Sequence, residues 1–380
     1  MPHSTLIPNP ISSDMSPGEG VPAGRGWLAP CMSGLIELRI ILLALCSLLI
    51  SCGPTPTPSE LTAPALYHWQ TTLDLTDYEL RRLDSLGTQR LYVKAFDVDV
   101  VGGEAQPSAR LRVTRAEQLA PFEFVPTVFI TNRTFQAASV DVDTLAARMH
   151  RLLLALTESL PRVVGYQIDC DWSGSTRERY FAFLTRLQDL TDLPVSATIR
   201  LHQLRYPERT GVPPVASGVL MYYNTGDLTE ADNSILDNAT AEQYLVRPYR
   251  YTLPLEVALP IFSWGVVLRD ATAIKLVNDL QPGDLVDTSR FEQVDERRYR
   301  VVKSTYLDGL YLYRDDVIRL EWVTPEQLTR ARLALRDYLP DTGWQPIYYH
   351  LDERLLKRYT HAQLRPSARA LERAHSTRDR

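Results

Sequence analysis

Polar and apolar side chains alternate in the stretch Gly165-Tyr166-Gln167-Ile168-Asp169-Cys170-Asp171-Trp172. In a β-strand, alternate side chains share one face at a spacing of about 6–7 Å, so Gln167, Asp169 and Asp171 are predicted to lie together. Two carboxylates this close couple their protonation, and acid-assisted bond cleavage needs one protonated carboxyl beside one that stays ionised. The stretch therefore predicts general acid chemistry at Asp169 and Asp171.

This acidic strand lies between two amphipathic helix patterns, at 142–160 and 177–190. Helices on both sides of a strand favour a parallel sheet covered by helices over a solvated antiparallel sheet. The carboxylates are then expected to face a barrel lumen or a ligand crevice. In the structural alternative, both carboxylates pair with Arg200 or Lys94 in a buried ion network.

Strand-like and helix-like segments alternate from residue 66 onward, which is typical of βα units in a parallel sheet. Eight strands are predicted, at 66–75, 90–98, 124–131, 163–172, 194–201, 218–223, 255–264 and 345–351. The predicted fold class is therefore α/β, a (β/α)8 TIM-type barrel. Residues 270–323 break the rhythm and are predicted to form a small β-rich insertion before the last helix-strand unit. The barrel is expected to occupy 66–269 and 324–380.

Functional residues of such a barrel lie at the C-terminal ends of its strands. Besides the acidic strand, the polar or aromatic residues predicted there are Asp97, Asp99, Arg200, His202, Tyr223, Asn224, Trp264, His350 and Asp352. This mixture suggests a polar, carbohydrate-like ligand. The tryptophans Trp69, Trp172 and Trp264 could stack on sugar faces or pack under loops.

No metal and no cofactor are predicted at these strand ends. The two histidines lack metal-ligand spacing, and the chain has no glycine-rich phosphate loop. Four acids on two strands, at 97, 99, 169 and 171, could bind Mg²⁺ or Ca²⁺, but acids with cations nearby more often form a hydrogen-bonded network.

The acidic strand resembles the strand-four motif of family-18 (chitinase-like) glycoside hydrolases, in which a glycine is followed by acidic residues at alternate positions. Met221-Tyr222-Tyr223-Asn224 is similar to the strand-six signature of that family. The resemblance implies that the last carboxylate on strand four is the general acid. It also implies that the carboxylate before it orients the substrate's N-acetyl group and that Tyr223 supports the intermediate.

Two registers are possible for this resemblance. In the first, Asp171 is the acid, one methylene shorter than the family's Glu, and Gln167 replaces the first carboxylate. In the second, Trp172 matches the Trp that often precedes the family's Glu. Asp171 then becomes the orienting residue and Ser173 stands where the acid should be, which argues against hydrolysis.

The N-terminus indicates export. An apolar run at 40–50 is too short to span a bilayer comfortably and reads as a signal-peptide core. It ends in Leu49-Ile50-Ser51-Cys52, which resembles a bacterial lipobox, so lipidation of Cys52 is expected. Residues 1–52 are read as leader and lipoprotein signal peptide, with translation beginning near Met32, and 53–65 as a Pro/Thr-rich tether. A general secretory signal or an uncleaved anchor remains the alternative.

Composition excludes one class of partner. The net charge of −5 and the scattered Lys and Arg residues give no basic stripe of the kind that nucleic-acid binding needs. The leading hypothesis is a lipid-anchored glycoside-hydrolase-like protein that cleaves an envelope or environmental glycan. The rival is a non-catalytic glycan-binding or envelope-assembly lipoprotein on the same barrel, attached to the membrane through its lipid alone.

Overall fold

The barrel is the main body of the computed structural model, which describes residues 63–229, 233–340, 344 and 346–366. Its eight parallel strands are Ala65–His68, Arg90–Val101, Glu123–Ile130, Tyr166–Asp169, Val195–Arg200, Ser217–Met221, Leu255–Pro260 and Pro346–Tyr349. The ring closes because Leu66 of the first strand pairs with Leu91 of the second and with Tyr348 of the eighth. The predicted (β/α)8 barrel is confirmed.

Helices cover the outside of the barrel. Those in the described residues are Asp77–Leu86, Asn132–Gln136, Val142–Thr157, Arg177–Asp189, Leu201–Arg205, Pro207–Thr210, Asn238–Glu242, Pro325–Tyr338, Glu353–Leu356 and His361–Leu364. The first begins at a capping box, in which Thr76 accepts from the Glu79 amide and Glu79 accepts from the Thr76 amide. It ends at Gly87, whose φ of 68° is accessible to glycine without strain. After the eighth strand, the described residues form two short helices, Glu353–Leu356 and His361–Leu364.

A separate antiparallel sheet follows the seventh barrel strand. Its strands are Ser263–Arg269, Thr272–Asn278, Phe291–Gln293, Arg298–Val301 and Val317–Trp322. A hairpin of Thr305–Leu307 and Leu310–Leu312 extends this β-rich segment. The sheet begins at Ser263 rather than near residue 270, and Trp264 therefore belongs to the inserted sheet and not to the seventh barrel strand.

Three short strands and two 3₁₀ turns complete the described elements. Glu104–Ser108 runs antiparallel to the second barrel strand, and Thr72–Leu73 pairs with Arg112–Val113. The 3₁₀ turns are Ala116–Leu119 and Pro282–Leu285.

The fourth barrel strand is shorter than predicted. It spans Tyr166–Asp169, so the predicted run of 163–172 was wrong in length. Gln167 and Asp169 are buried inside the barrel, whereas Asp171 lies beyond the strand end and its side chain is 54% exposed. The expected common face of Gln167, Asp169 and Asp171 therefore does not extend to Asp171.

The export signals lie outside the described residues. The leader, the signal peptide, Cys52 and most of the tether all fall within 1–62, so their assignment stays a prediction. Among the residues that the structure describes, no helix is long and apolar enough to cross a membrane.

Candidate glycan-binding cleft

A cleft of about 450 Å³ opens at the C-terminal ends of the barrel strands. This volume is in the range of small-molecule sites. The residues predicted from the sequence that line it are Asp97, Asp169, Arg200, Tyr223, Asn224, Trp264 and His350. The barrel thus brings together side chains from the second, fourth, fifth, sixth and eighth strands, and the inserted sheet adds Trp264.

Aromatic rings form much of the cleft, with Tyr349 at their centre. The Tyr349 ring stacks on Tyr223 at a centroid distance of 5.5 Å and meets Trp69 edge-on at 5.5 Å. The centroid of the Phe262 ring lies 5.6 Å from that of Tyr349 and 5.3 Å from that of Trp264. These contacts fix the rings against one another, so the cleft presents an apolar surface that needs little ordering when a ligand binds.

Asp169 is the buried carboxylate of the cleft. Its side chain accepts a hydrogen bond of 2.7 Å from the Thr198 hydroxyl and is 7% exposed. Burial raises the pKa of Asp169 above its ordinary value, although the positive charge of Arg200 opposes this rise. A carboxyl group of this kind can hold a proton closer to neutral pH than an exposed aspartate does.

Asp171 does not line the main cleft. Both of its carboxylate oxygens accept from Arg200, one from Nε and the other from Nη2 at 3.1 Å. Burial lowers the pKa of Arg200, but the negative charges of Asp169 and Asp171 raise it by a larger amount, so the net shift of this pKa is upward. Asp171 therefore has the partner that the structural alternative predicts, but the pair is partly exposed and is not a buried ion network.

Beside the main cleft lies a second cavity of about 370 Å³, which shares Arg200, Tyr223 and Asn224 with it. Asp171 and His202 line this second cavity. Burial lowers the pKa of His202, with the charge of Arg200 adding to the effect and that of Asp171 opposing it. The predicted residues therefore divide between two adjoining cavities at the same end of the barrel.

Gln167 lies beneath the cleft and not in it. It is fully buried, and its Oε1 accepts from the Tyr67 hydroxyl at 2.6 Å and from the Thr127 hydroxyl at 3.3 Å. Its Nε2 has no hydrogen-bond partner among the described residues. A ligand in the cleft would meet Tyr223 and Asp169 before it reached Gln167, so the predicted substrate contact of Gln167 stays without structural support.

The two acids of the second strand have different surroundings. Asp97 lines the cleft and pairs with Lys94 at 2.8 Å, and its Oδ1 is buried without a hydrogen-bond partner among the described residues. Asp99 lies outside the cavity, where hydrogen bonds from Arg133 and Thr131 hold its pKa well below the usual range. Of these two acids, only Asp97 lines the cleft.

Tyr223 and Asn224 end the sixth strand. The Tyr223 hydroxyl contacts the Met221 sulfur at 3.0 Å, and burial raises the pKa of Tyr223, so this phenol stays neutral and able to donate a hydrogen bond. Asn224 has a φ of 57° and its amide donates to the Ile235 carbonyl, which holds the turn at the cleft rim.

His350 and Asp352 follow the eighth strand. His350 lines the cleft, with its Nε2 3.4 Å from Asp279 Oδ1 of the inserted sheet's loop. Its neighbour His68 is buried, and burial lowers the pKa of His68 to about 4. Asp352 instead caps the helix Glu353–Leu356 by accepting from the Arg354 and Leu355 amides, outside the cleft.

Several cleft residues were not selected from the sequence. These residues are Tyr349, Phe262 and Asp279, which all line the cavity. Trp69, which was considered from the sequence, also lines it. The tandem Tyr348-Tyr349 before His350 was the available signal, because side chains alternate and one of the two tyrosines must face inward. Trp172 packs instead: it is fully buried, stacks on Tyr180 at 5.2 Å and donates to the Thr210 carbonyl.

The acids of this end do not form a cation site. Asp97 pairs with Lys94, Asp99 with Arg133 and Asp171 with Arg200. In residues 63–229, 233–340, 344 and 346–366, no group of three His, Cys, Asp or Glu residues is arranged to hold a metal ion.

Comparisons with known proteins support the fold. No protein-family model and no curated protein matches the chain. Solved structures with a similar fold include chitinase-like glycoside hydrolases. The spore cortex-lytic enzyme SleL of Bacillus megaterium shares 12% identity and a TM-score of 0.50, over 80% of this chain and 76% of that chain.

Two further solved structures are less similar. Catalytic domain 2 of the Ostrinia furnacalis group II chitinase shares 8% identity and a TM-score of 0.45, over 81% of this chain and 96% of that chain. Human YKL-39, described as a pseudo-chitinase with retained chitooligosaccharide binding, shares 8% identity and a TM-score of 0.44, over 81% of this chain and 99% of that chain. The likeness to SleL, at 12% identity, supports the TIM-barrel fold of this chain and nothing about its activity.

Proposed function

We propose that the barrel binds a glycan in its cleft without cleaving it. The observation that carries the proposal is the pairing of Asp171 with Arg200. In the first register of the family-18 resemblance Asp171 would be the general acid, yet both of its oxygens already accept from one guanidinium. Both oxygens are thus held against Arg200, and Asp171 lies outside the lining of the main cleft, so neither oxygen is placed to donate to a glycosidic oxygen bound there.

The lining of the cleft suits a pyranose ring. Sugar rings present apolar C–H faces that stack on aromatic rings, and Tyr349, Trp69 and Trp264 offer such faces. Sugar hydroxyls need hydrogen-bond partners at the ring edge, and Asp97, Asn224 and His350 supply polar side chains to the cleft lining. Apolar walls with a few fixed polar groups are the usual composition of a specific small-ligand site.

Hydrolysis through Asp169 is the second candidate. The observation that favours it is the position of Asp169 inside the cleft, where burial raises its pKa and the neutral Tyr223 hydroxyl is nearby. An acid with a raised pKa is one of the two groups that glycoside cleavage needs, and in substrate-assisted enzymes the sugar's own amide replaces the second. This candidate differs from the first in requiring turnover.

The cellular setting is also part of the proposal. The lipobox-like Leu49-Ile50-Ser51-Cys52 and the Pro/Thr-rich tether support a barrel held at the cell envelope by a lipid on Cys52. Such an anchor would keep the cleft close to envelope glycans. The aminosugar-containing glycans implied by the family-18 resemblance are therefore the first ligands to test.

The test compares Asp171→Asn and Asp169→Asn with the wild type on N-acetylglucosamine oligomers and peptidoglycan fragments. Binding is measured by calorimetry and turnover by mass spectrometry of the oligomers. We expect the wild type to bind without forming products and Asp171→Asn to bind within a few-fold of it.

Two results would point elsewhere. Wild-type turnover that falls about 10²–10⁴-fold in Asp171→Asn would overturn the binding proposal, because that loss is typical of removing a general acid. Turnover that is lost in Asp169→Asn but kept in Asp171→Asn would establish the second candidate.

A further inference from the structure

A row of three side chains crosses the inserted sheet next to the cleft. In the antiparallel register, Trp264 pairs with Asn278 on one side and with Glu321 on the other. Directly paired residues point to the same face of a sheet. Trp264 and Asn278 line the cleft, whereas Glu321, on the other side of Trp264, is completely buried.

Glu321 accepts hydrogen bonds from three different segments. Its Oε2 accepts from the Trp264 indole Nε1 at 2.9 Å, and from the Ser234 amide and hydroxyl at 2.7 and 2.6 Å. Its Oε1 accepts from Arg319 Nε at 2.8 Å, and the Arg319 side chain is 5% exposed. The guanidinium also donates to the Leu228 carbonyl at 2.7 Å. One carboxylate thus joins the cleft tryptophan to a barrel loop.

A buried ion pair of this kind is a poor source of stability. Desolvation of the two charges largely cancels their attraction, and apolar replacements of similar volume are often as stable or more so. The pair instead fixes the orientation of the Trp264 ring, because the indole N–H donates to one acceptor, Glu321 Oε2, whose position is fixed. Trp264 in turn packs on Phe262, which contacts Tyr349 and Tyr223.

We propose that Glu321 is a positioning residue, which holds the Trp264 ring as a wall of the cleft and so sets glycan affinity from the inserted sheet. This inference rests on the proposed function for its effect on binding. Its structural part, the fixed orientation of Trp264, does not depend on the ligand.

Two double variants separate positioning from stability. Arg319→Met with Glu321→Leu replaces the pair by apolar side chains and leaves the indole without its acceptor. Arg319→Met with Glu321→Gln removes the charges equally but restores an oxygen that can accept from Trp264. Asp316→Asn is the matched control, because Asp316 is 2% exposed and pairs with Arg269 at the opposite end of the same strand, away from the cleft.

The readouts are the ¹⁵N-indole resonance of Trp264, assigned with Trp264→Phe, and the affinity for N-acetylglucosamine oligomers. We expect the Leu variant to shift and broaden that resonance and to bind about five- to tenfold more weakly, the equivalent of one hydrogen bond. The Gln variant is expected to keep the resonance and to bind within about twofold of the wild type. Asp316→Asn should change neither readout.

The same resonance and the same affinity in the Leu and Gln variants would overturn the inference. An unchanged affinity with a shifted resonance would also overturn it, because Trp264 would then be oriented by Glu321 without affecting binding. If the wild type binds no oligomer, the proposed function fails, while the resonance still decides whether Glu321 orients Trp264.

Discussion

The positive charge of Arg200 interacts with two carboxylates, the buried Asp169 and the partly exposed Asp171. Replacing Arg200 should therefore affect these two carboxylates unequally. Arg200→Met removes the ion pair with Asp171 and also the positive charge that opposes the raised pKa of the buried Asp169. Asp171→Asn removes the ion pair and also a nearby negative charge that helps to raise the pKa of Asp169. The two variants therefore change the environment of Asp169 in opposite directions, and comparing their free energies of unfolding shows the effect of the Arg200 charge.

The expected magnitudes differ because exposure differs. The Asp171 side chain is 54% exposed, so water screens its pair and Asp171→Asn should cost less than about 1 kcal/mol. Unit charges slightly beyond ion-pair distance attract by roughly 2–3 kcal/mol at the effective dielectric of protein sites. At neutral pH, Arg200→Met is therefore expected to cost roughly 2–3 kcal/mol.

The pH dependence has a definite sign. An aspartate whose pKa is raised in the folded state keeps a proton that the unfolded chain releases, so its contribution to stability falls as the pH rises above about 4. Removing Arg200 raises this pKa further. The deficit of Arg200→Met should therefore be larger at neutral pH and shrink as the pH falls through the raised pKa of Asp169, because the protonated carboxyl no longer interacts with the guanidinium charge.

Urea denaturation at about pH 7 and about pH 4.5 measures this deficit. Arg133→Met is the control, because its partner Asp99 lies outside the cleft and has a lowered pKa. Stability from such a group is lost only as the pH falls below about 4, so this control should show no change between the two pH values. Equal deficits of Arg200→Met at both pH values would refute the assigned role of Asp169.

Two further predictions concern the cleft and the anchor. Tyr349→Ala removes the ring that contacts Trp69, Tyr223 and Phe262 and should weaken glycan affinity at least about tenfold by calorimetry, whereas Tyr306→Ala, 66% exposed and outside the cleft, should leave it unchanged. Equal losses in both would argue against the cleft as the binding site. Cys52→Ser should abolish incorporation of labelled fatty acid in bacterial cells, and unchanged labelling would remove the lipoprotein assignment.

The barrel could be predicted from the sequence because its signal is repeated. Each buried strand is a short apolar run between helical patterns, and eight such units leave few alternatives. The bounds of the helix Asp77–Leu86 are also set by local signals, namely the capping box of Thr76 and Glu79 and the terminal Gly87.

The end of the fourth strand could not be predicted, because burial continues after the strand stops. Cys170 and Trp172 are 0% and 1% exposed, so the alternation looks unbroken in the sequence. Trp172 is buried by stacking on Tyr180 of the following helix and not by sheet pairing. Asp171 therefore lies outside the sheet and pairs with Arg200. This ion pair depends on tertiary structure and leaves no signal in the sequence.

The position of Trp264 was missed for a different reason. The seventh strand ends at Pro260, whose missing N–H cannot continue a ladder, and a new sheet begins at Ser263. The apolar run continues through both sheets, so the sequence reads as one strand. Proline was the available signal for the break.

The most direct test of the central claim is a single titration of the wild-type protein with an N-acetylglucosamine oligomer, followed by mass analysis of the ligand recovered from the same cell. Saturable heat with the oligomer recovered intact is the result expected for a barrel that binds and does not cleave. Shorter oligomers that accumulate in proportion to protein and time would contradict the claim.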